Sequence, residues 1–485
     1  MKKKIVRLIE KYNKIPIQVK ASFWFLICSF LQKGIAFITT PIFTRIMNTA
    51  EYGQYSVFAS WQGIFTVFVS LNLWAGVYTR GLVKYEDERP QFVSSFQGLC
   101  LTLTLLWTGI YLLFRDFWNG ITGLTTVQML AMLIMIWLSG VFNFWSAEQR
   151  VDFKYQKLVV LTLMVSVMNP ILGMILMHFA EDKVTARILG IILVEVIAYT
   201  GLFVVQMQRG KKFFYKRFWK YALAFNIPLI PHYLSMTVLN SADRIMISNM
   251  VGDNEAGIYN LAYQVSMVMT MFNTALMQTI EPWLYKKIKE NRIKDMAKVA
   301  YPTFVAIAVL NILLIAFAPE IIALFAPVEY IDAIWVIPPI AMSAYFMFAY
   351  TFFAVFEFYF SKTKFISVAT MVGAVLNVIL NYILIDKFGY IAAGYTTLLC
   401  YIIYAICHYI CMKKICKNYL KNQNPYSTKV LMIITICFIL IGFVCLVTYT
   451  NVWIRYALII VITLIGILQR KKVMAFAKEL MSLRK

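Results

Sequence analysis

Apolar runs long enough to cross a bilayer alternate with short basic segments along this 485-residue chain. About 20 apolar residues span the hydrocarbon layer as a helix. Fourteen segments reach that length: 20–44, 52–78, 93–114, 122–146, 158–179, 185–206, 222–247, 256–281, 297–318, 332–358, 365–385, 389–412, 430–449 and 453–469. The pattern predicts an all-α membrane protein of about 14 transmembrane helices. The last two segments form a short hairpin, for which lying in the membrane interface is the alternative. No hydrophilic stretch is long enough to bury a core of its own, so no soluble domain is expected. The first run reaches full spanning length without a small-residue cleavage site, so no cleavable leader is expected.

The runs repeat. Arg45-Ile46-Met47 closes the first and Glu51-Tyr52-Gly53-Gln54-Tyr55 opens the second. Arg244-Ile245-Met246 closes the seventh and Glu255-Ala256-Gly257-Ile258-Tyr259 opens the eighth. Met168-Asn169-Pro170-Ile171-Leu172 in the fifth echoes Leu376-Asn377-Val378-Ile379-Leu380 in the eleventh. Each half therefore has six spans. An even number keeps both halves in one orientation, related by an axis along the membrane normal. The expected organisation is a six-helix bundle at 1–210, a second at 211–420, and two extra helices with a basic tail at 421–485.

Polar positions inside the runs also keep a helical period. Ser22, Ser29, Lys33, Thr40 and Thr44 share one face of the first span. Asn226, Tyr233, Thr237, Asn240 and Arg244 mark the seventh, and Tyr259, Tyr263, Thr270, Asn273 and Glu281 the eighth. Such faces turn toward the bundle interior or a watered cavity, although Ser and Thr also bond simply to a helix backbone. Lys33 lies well inside its span, where snorkelling to the surface is strained, so a cavity-facing role is expected. Arg45 and Arg244 lie near the outer surface, where a salt bridge or headgroup contact competes with a binding role. Asp243 precedes Arg244, but adjacent helical residues point about 100° apart and need not pair. Glu195 is mid-span and is a candidate for a coupling proton or cation, with a neutral packing role as the alternative. Glu281 and Glu357 lie near cytoplasmic ends, where a solvated helix end competes with ion coupling. Pro41, Pro228, Pro231, Pro338 and Pro339 predict bends in spans one, seven and ten.

Composition agrees with the pattern. The chain is 61% hydrophobic and 14% charged, against about 25% charged in soluble domains. A net charge of +23 would suggest nucleic acid in a soluble protein. Here it follows the positive-inside rule. With the N-terminus cytoplasmic, 38 of the 46 lysines and arginines fall in inside segments. The exceptions are Lys33, Arg45, Arg115, Lys183, Arg187, Arg244, Lys387 and Arg455. Both termini are thus expected in the cytoplasm. The eight cysteines contain no Cys-x-x-Cys pair. Cys407, His408 and Cys411 share a helix but lack a fourth ligand, so neither a metal site nor a disulfide is expected. No P-loop appears, so no ATP hydrolysis is expected.

Thr44-Arg45-Ile46-Met47 followed by Glu51-Tyr52-Gly53-Gln54-Tyr55 resembles the opening of the polysaccharide flippases. Ile227-Pro228-Leu229-Ile230-Pro231, then Asp243-Arg244 and Glu255-x-Gly257-x-Tyr259, resembles them more specifically. These are the Wzx-type oligosaccharide transporters of the MATE-like superfamily, and the resemblance covers about residues 15–415. It implies two six-helix bundles around a central cavity, working by alternating access in a bacterial cytoplasmic membrane. The implied cargo is an undecaprenyl-diphosphate-linked oligosaccharide turned from the inner to the outer leaflet. A diphosphate needs fixed cations, which Lys33, Arg45 and Arg244 would supply. Sugars need aromatic faces and polar partners, for which Tyr52, Tyr55, Tyr259, Tyr263 and Asn240 are the candidates. Glu195, Asp243, Glu281 and Glu357 are the candidates for a coupling H+ or Na+. The other expected partners are membrane lipids, with no cofactor and no nucleic acid, and the chain is expected to act as a monomer. The family's cavity cations lie mostly in spans one, two, seven and eight, yet the second span here has no mid-membrane cation.

Four other readings compete. A multidrug cation antiporter shares this fold but would be expected to have an acidic cavity. A lipid II flippase would carry more arginines in its first span. A polysaccharide polymerase or ligase would carry a large outer loop with catalytic residues. A scaffold without transport would leave the mid-membrane charges without a purpose.

Overall fold

Every apolar run folds as helix. The computed structural model describes residues 15–471 together with 474 and 475, and no strand occurs among them. In chain order the helices are α1 (Ile17–Ile46), α2 (Thr49–Ser70), α3 (Val77–Lys84), α4 (Arg89–Leu113), α5 (Arg115–Thr122), α6 (Thr126–Val151), α7 (Tyr155–Phe179), α8 (Lys183–Gly210) and α9 (Lys216–Asn226). They continue as α10 (Ile230–Met250), α11 (Asp253–Lys289), α12 (Met296–Ala316), α13 (Ala318–Phe325), α14 (Ala333–Tyr359), α15 (Thr363–Phe388), α16 (Ile391–Tyr419), α17 (Thr428–Val447) and α18 (Val452–Leu468). Among the described residues, eleven helical stretches are long and apolar enough to cross a membrane. The other three expected segments are α2, α11 and α18. The first two have 22 and 37 residues but are too polar, and the third is apolar with only 17 residues. The expectation that both termini are cytoplasmic concerns residues largely outside those described.

Two boundaries differ from the hydrophobic pattern. The second span stops at Ser70, eight residues short of the expected 78. There Leu71 and Asn72 take left-handed backbone angles of 51° and 47°, and the Ser70 hydroxyl accepts the Asn72 amide at 3.2 Å. A side chain that bonds the backbone locally competes with continued helix. The seventh span is broken as its prolines predict. α9 ends at Asn226, a 3-10 turn covers Ile227–Leu229, and α10 then begins. Pro41, Pro338 and Pro339 sit inside unbroken helices.

The chain divides into two compact units. Among the described residues, the first holds 15–47 and 58–234, and the second holds 48–57 and 235–471. In the first unit, Gly190 of α8 meets Gly173 of α7 so closely that a Cβ would sit 2.7 Å from the Gly173 Cα. Small residues permit this backbone approach between membrane helices. An aromatic core of Tyr78, Phe92, Phe96, Phe144 and Phe218 ties α3, α4, α6 and α9 together. In the second unit α14 is the central element, buried along most of its length. Phe304 of α12 packs edge-on to Tyr345, Phe348 and Phe352 of α14.

Candidate functional site

Asp243 and Arg244 lie side by side on α10 in the second unit, and the helix turns them to different partners. Asp243 is 1% exposed and Arg244 7%. The Asp243 carboxylate accepts Tyr259 Oη at 2.7 Å and Thr397 Oγ1 at 3.0 Å on one oxygen. Asn381 Nδ2 donates to the other at 2.6 Å. Asn381 is held in turn by Thr396 Oγ1, which donates to its Oδ1, and by Asn377 Oδ1, which accepts its Nδ2 at 3.3 Å. Arg244 Nε donates to Asn260 Oδ1 at 2.9 Å and Nη1 to the backbone carbonyl of Asn240 at 2.8 Å. Its guanidinium carbon sits 4.0 Å from the centroid of the Tyr263 ring. Each charge is therefore solvated by its own hydrogen bonds, as buried charges require. Helices α10, α11, α15 and α16 all contribute to this network.

This site gathers Asp243, Arg244, Tyr259, Tyr263 and Asn240 from the sequence candidates. Asn240 donates its amide to Met236 at 2.7 Å and accepts Tyr401 Oη at 3.4 Å. Tyr259 is fully buried with its hydroxyl committed to Asp243. Tyr52 is buried on the tip of α2, edge-on to Tyr330 at 6.1 Å, and Tyr55 is half-buried one turn on. Sequence reasoning missed Asn381 and Thr397, which bond to Asp243, and Asn377 and Thr396, which hold Asn381. The sequence holds one signal for them, the Asn377 echo of Asn169.

Lys33 and Arg45 belong to the first unit. Both are exposed, and Arg45 Nη1 donates to the Pro41 carbonyl at 2.7 Å. Lys33 sits at the middle of the 30-residue α1, with no hydrogen bond or ion pair to any described residue. Several other cations outside the basic loops have structural partners. Lys183 Nζ donates to the Ile46 carbonyl at 2.8 Å, which satisfies the C-terminus of α1. Arg187 stacks 3.6 Å from the centre of the Phe43 ring. Arg455 pairs with Glu320, which also accepts Tyr456 Oη at 2.9 Å.

The acidic candidates separate. Glu195 is half-buried on α8, and its Oε2 has no hydrogen-bond partner. Glu281 accepts Tyr285 Oη at 2.7 Å. Glu357 is fully buried rather than solvated, and His408 Nδ1 stands 2.8 Å from its Oε1. That partner was not anticipated, because 51 residues separate the two. Outside the spans, Asp152 loses some solvation by burial. Lys154 and Arg89, each 2.8 Å away, outweigh this and hold its carboxyl below the usual range.

Residues 19–288 match the family described as polysaccharide biosynthesis protein, and residues 228–383 match MatE. An uncharacterized membrane protein of Haemophilus influenzae is 22% identical over 367 residues, covering 74% of this chain and 88% of its own length. The inward-facing conformation of a multidrug resistance MATE family transporter of the MOP superfamily superposes with a TM-score of 0.58. It is 14% identical and covers 80% of this chain and 96% of its own. A MOP superfamily transporter from Pyrococcus furiosus, described as having a binding pocket of reverse polarity, gives a TM-score of 0.54. It is 15% identical and covers 84% of this chain and 96% of its own. The fold is therefore MATE-like and all-α.

Proposed function

We propose that this chain, which belongs to the polysaccharide biosynthesis protein family, turns undecaprenyl-diphosphate-linked oligosaccharides across the bacterial cytoplasmic membrane by alternating access. Family and fold make it a multi-pass membrane transporter or flippase rather than an enzyme. The finer reading rests on Lys33. An ammonium in mid-span is costly in lipid, and Lys33 is exposed with no partner among the described residues. Water and an anionic cargo relieve that cost, and a lipid-linked diphosphate is such a cargo. Arg45 and Arg244 add cations, one exposed and one buried. Asp243 is the candidate for a coupling H+ or Na+, because its carboxylate is surrounded by hydroxyl and amide groups from three neighbouring helices. The basic loops support cytoplasmic termini.

The test is direct. Purified protein reconstituted in vesicles should move a fluorescent undecaprenyl-diphosphate oligosaccharide between leaflets. It should leave ethidium, a multidrug-type cation, untransported. Movement of ethidium without movement of the lipid-linked sugar would replace this reading with cation antiport.

A further inference from the structure

We infer that Glu357 and His408 form a proton-binding site in the second unit, a carboxyl–imidazole pair that takes up one proton when sealed and gives it up when wetted. The inference deepens the transport reading above, on which it rests, by naming the proton as a coupling ion and placing it apart from Asp243. Both side chains are 0% exposed. Imidazole Nδ1 and carboxyl Oε1 stand 2.8 Å apart, while Glu357 Oε2 and His408 Nε2 have no hydrogen-bond partner. Buried polar atoms are nearly always partnered, so an unpartnered atom on each member of the pair leaves room for an exchangeable proton.

The surroundings are aromatic. The Tyr404 ring stands edge-on to the imidazole at 4.5 Å, with Tyr350 at 5.5 Å and Phe365 at 5.6 Å. From α16, Cys411 is the other titratable group near Glu357, and Lys414 acts electrostatically on that thiol. From α15, Thr370 shares a hydrogen bond with Tyr404 Oη at 2.8 Å. From α11, Tyr285 packs at a tilt against Tyr359, and its hydroxyl goes to Glu281. Lys413 is directed to Thr428 at the start of α17, at 3.0 Å. Glu357 thus faces His408 as its charged counterpart.

Proton bookkeeping follows from charge. In water near pH 7.5 a free carboxyl is ionised and a free imidazole mostly neutral, which gives the pair a charge of about −1. Sealed among aromatic rings, a lone charge is strongly disfavoured. One proton from water then neutralises the pair, bound to either partner, and it returns to water on opening. No other reactant is needed. Glu357 lies two residues from the end of α14, and opening at that end would admit water.

The chain has three histidines. With histidine 15N-labelled in the full-length protein in lipid nanodiscs, three imidazoles are followed from pH 5 to 9, and His408→Gln assigns its signal. Glu357→Gln should move the His408 midpoint at least tenfold in proton concentration and leave His178 and His232 in place. Glu357→Asp should restore most of the native behaviour. A His408 signal unaffected by pH and by Glu357→Gln would overturn the site. Calorimetry with undecaprenyl diphosphate in buffers of different ionisation enthalpy then counts protons. Native protein should exchange about one per ligand bound, and His408→Gln and Glu357→Gln none. Native-like proton exchange in both variants would overturn the coupling role. If undecaprenyl diphosphate does not bind the native protein, the cargo reading fails while the titration still decides the proton site.

Discussion

Gly53 and Gly257 occupy each other's side-chain space. A Cβ on Gly53 would overlap the Asp253 carbonyl and come within 2.9 Å of the Gly257 amide nitrogen, and one on Gly257 would overlap the Thr49 carbonyl and lie 3.1 Å from the Gly53 nitrogen. Thr49 Oγ1 donates to Asn254 Oδ1 at 2.6 Å, and Gln54 Nε2 to Asp253 Oδ2 at 3.0 Å. Glu51 accepts the Asn48 amide at 2.8 Å and Asn48 Oδ1 accepts the Glu51 amide at 2.8 Å, which caps α2. The repeated Glu-x-Gly-x-Tyr motif is thus where the first turns of α2 and α11 interlock.

Gly53→Ala or Gly257→Ala should therefore lower thermal stability by about 1–3 kcal/mol, the usual cost of overpacking. Gly109→Ala and Gly201→Ala, which have open space around them, should change it little. Melting temperatures of the purified protein in detergent give the comparison.

Asp243 and Arg244 balance charge without a direct bond. Asp243→Ala should destabilise by about 3 kcal/mol or more, because it leaves a buried guanidinium without its compensating charge. Arg244→Ala should do similar harm. The double variant should lose less than the two losses added together. Full additivity in thermal melts would show that the two charges do not compensate one another.

Asp152 should show a pH signature. Its folded carboxyl titrates below the unfolded value of about 4, so its contribution is present above that value and lost as pH falls through the lower folded one. Lys154 is exposed and solvent screens its share, so the effect is on the order of 1 kcal/mol or less. Asp152→Asn should melt slightly lower than native at pH 7, and the gap should close toward pH 3. A gap independent of pH would contradict the assignment.

Topology gives another test. The loops at 207–221 and 282–296 are rich in cations and should face the cytoplasm. A cysteine replacing Lys212, which is exposed, should resist a membrane-impermeant thiol reagent in intact cells and react after lysis. Labelling in intact cells would reject this orientation.

Helix positions were legible because burial in lipid demands long apolar runs, and the break at Pro228 because proline removes a donor. The early end of α2 was not, since it depends on the local bond between Ser70 and Asn72. The ligands of Asp243 were hidden for a different reason. Asn381 and Thr397 lie 138 and 154 residues away, and no local period records such a contact. His408 was visible only as part of a weak metal pattern, while its partner Glu357 read as one of several helix-end carboxylates.

The central claim is that Lys33 attracts an anionic cargo. In a strain lacking the native gene, surface glycan display at matched protein levels measures this most directly. Lys33→Arg should retain part of the display, Lys33→Ala should lose most of it, and Lys33→Glu should be worse still, because it repels the diphosphate. Normal display by both Lys33→Ala and Lys33→Glu would contradict the account.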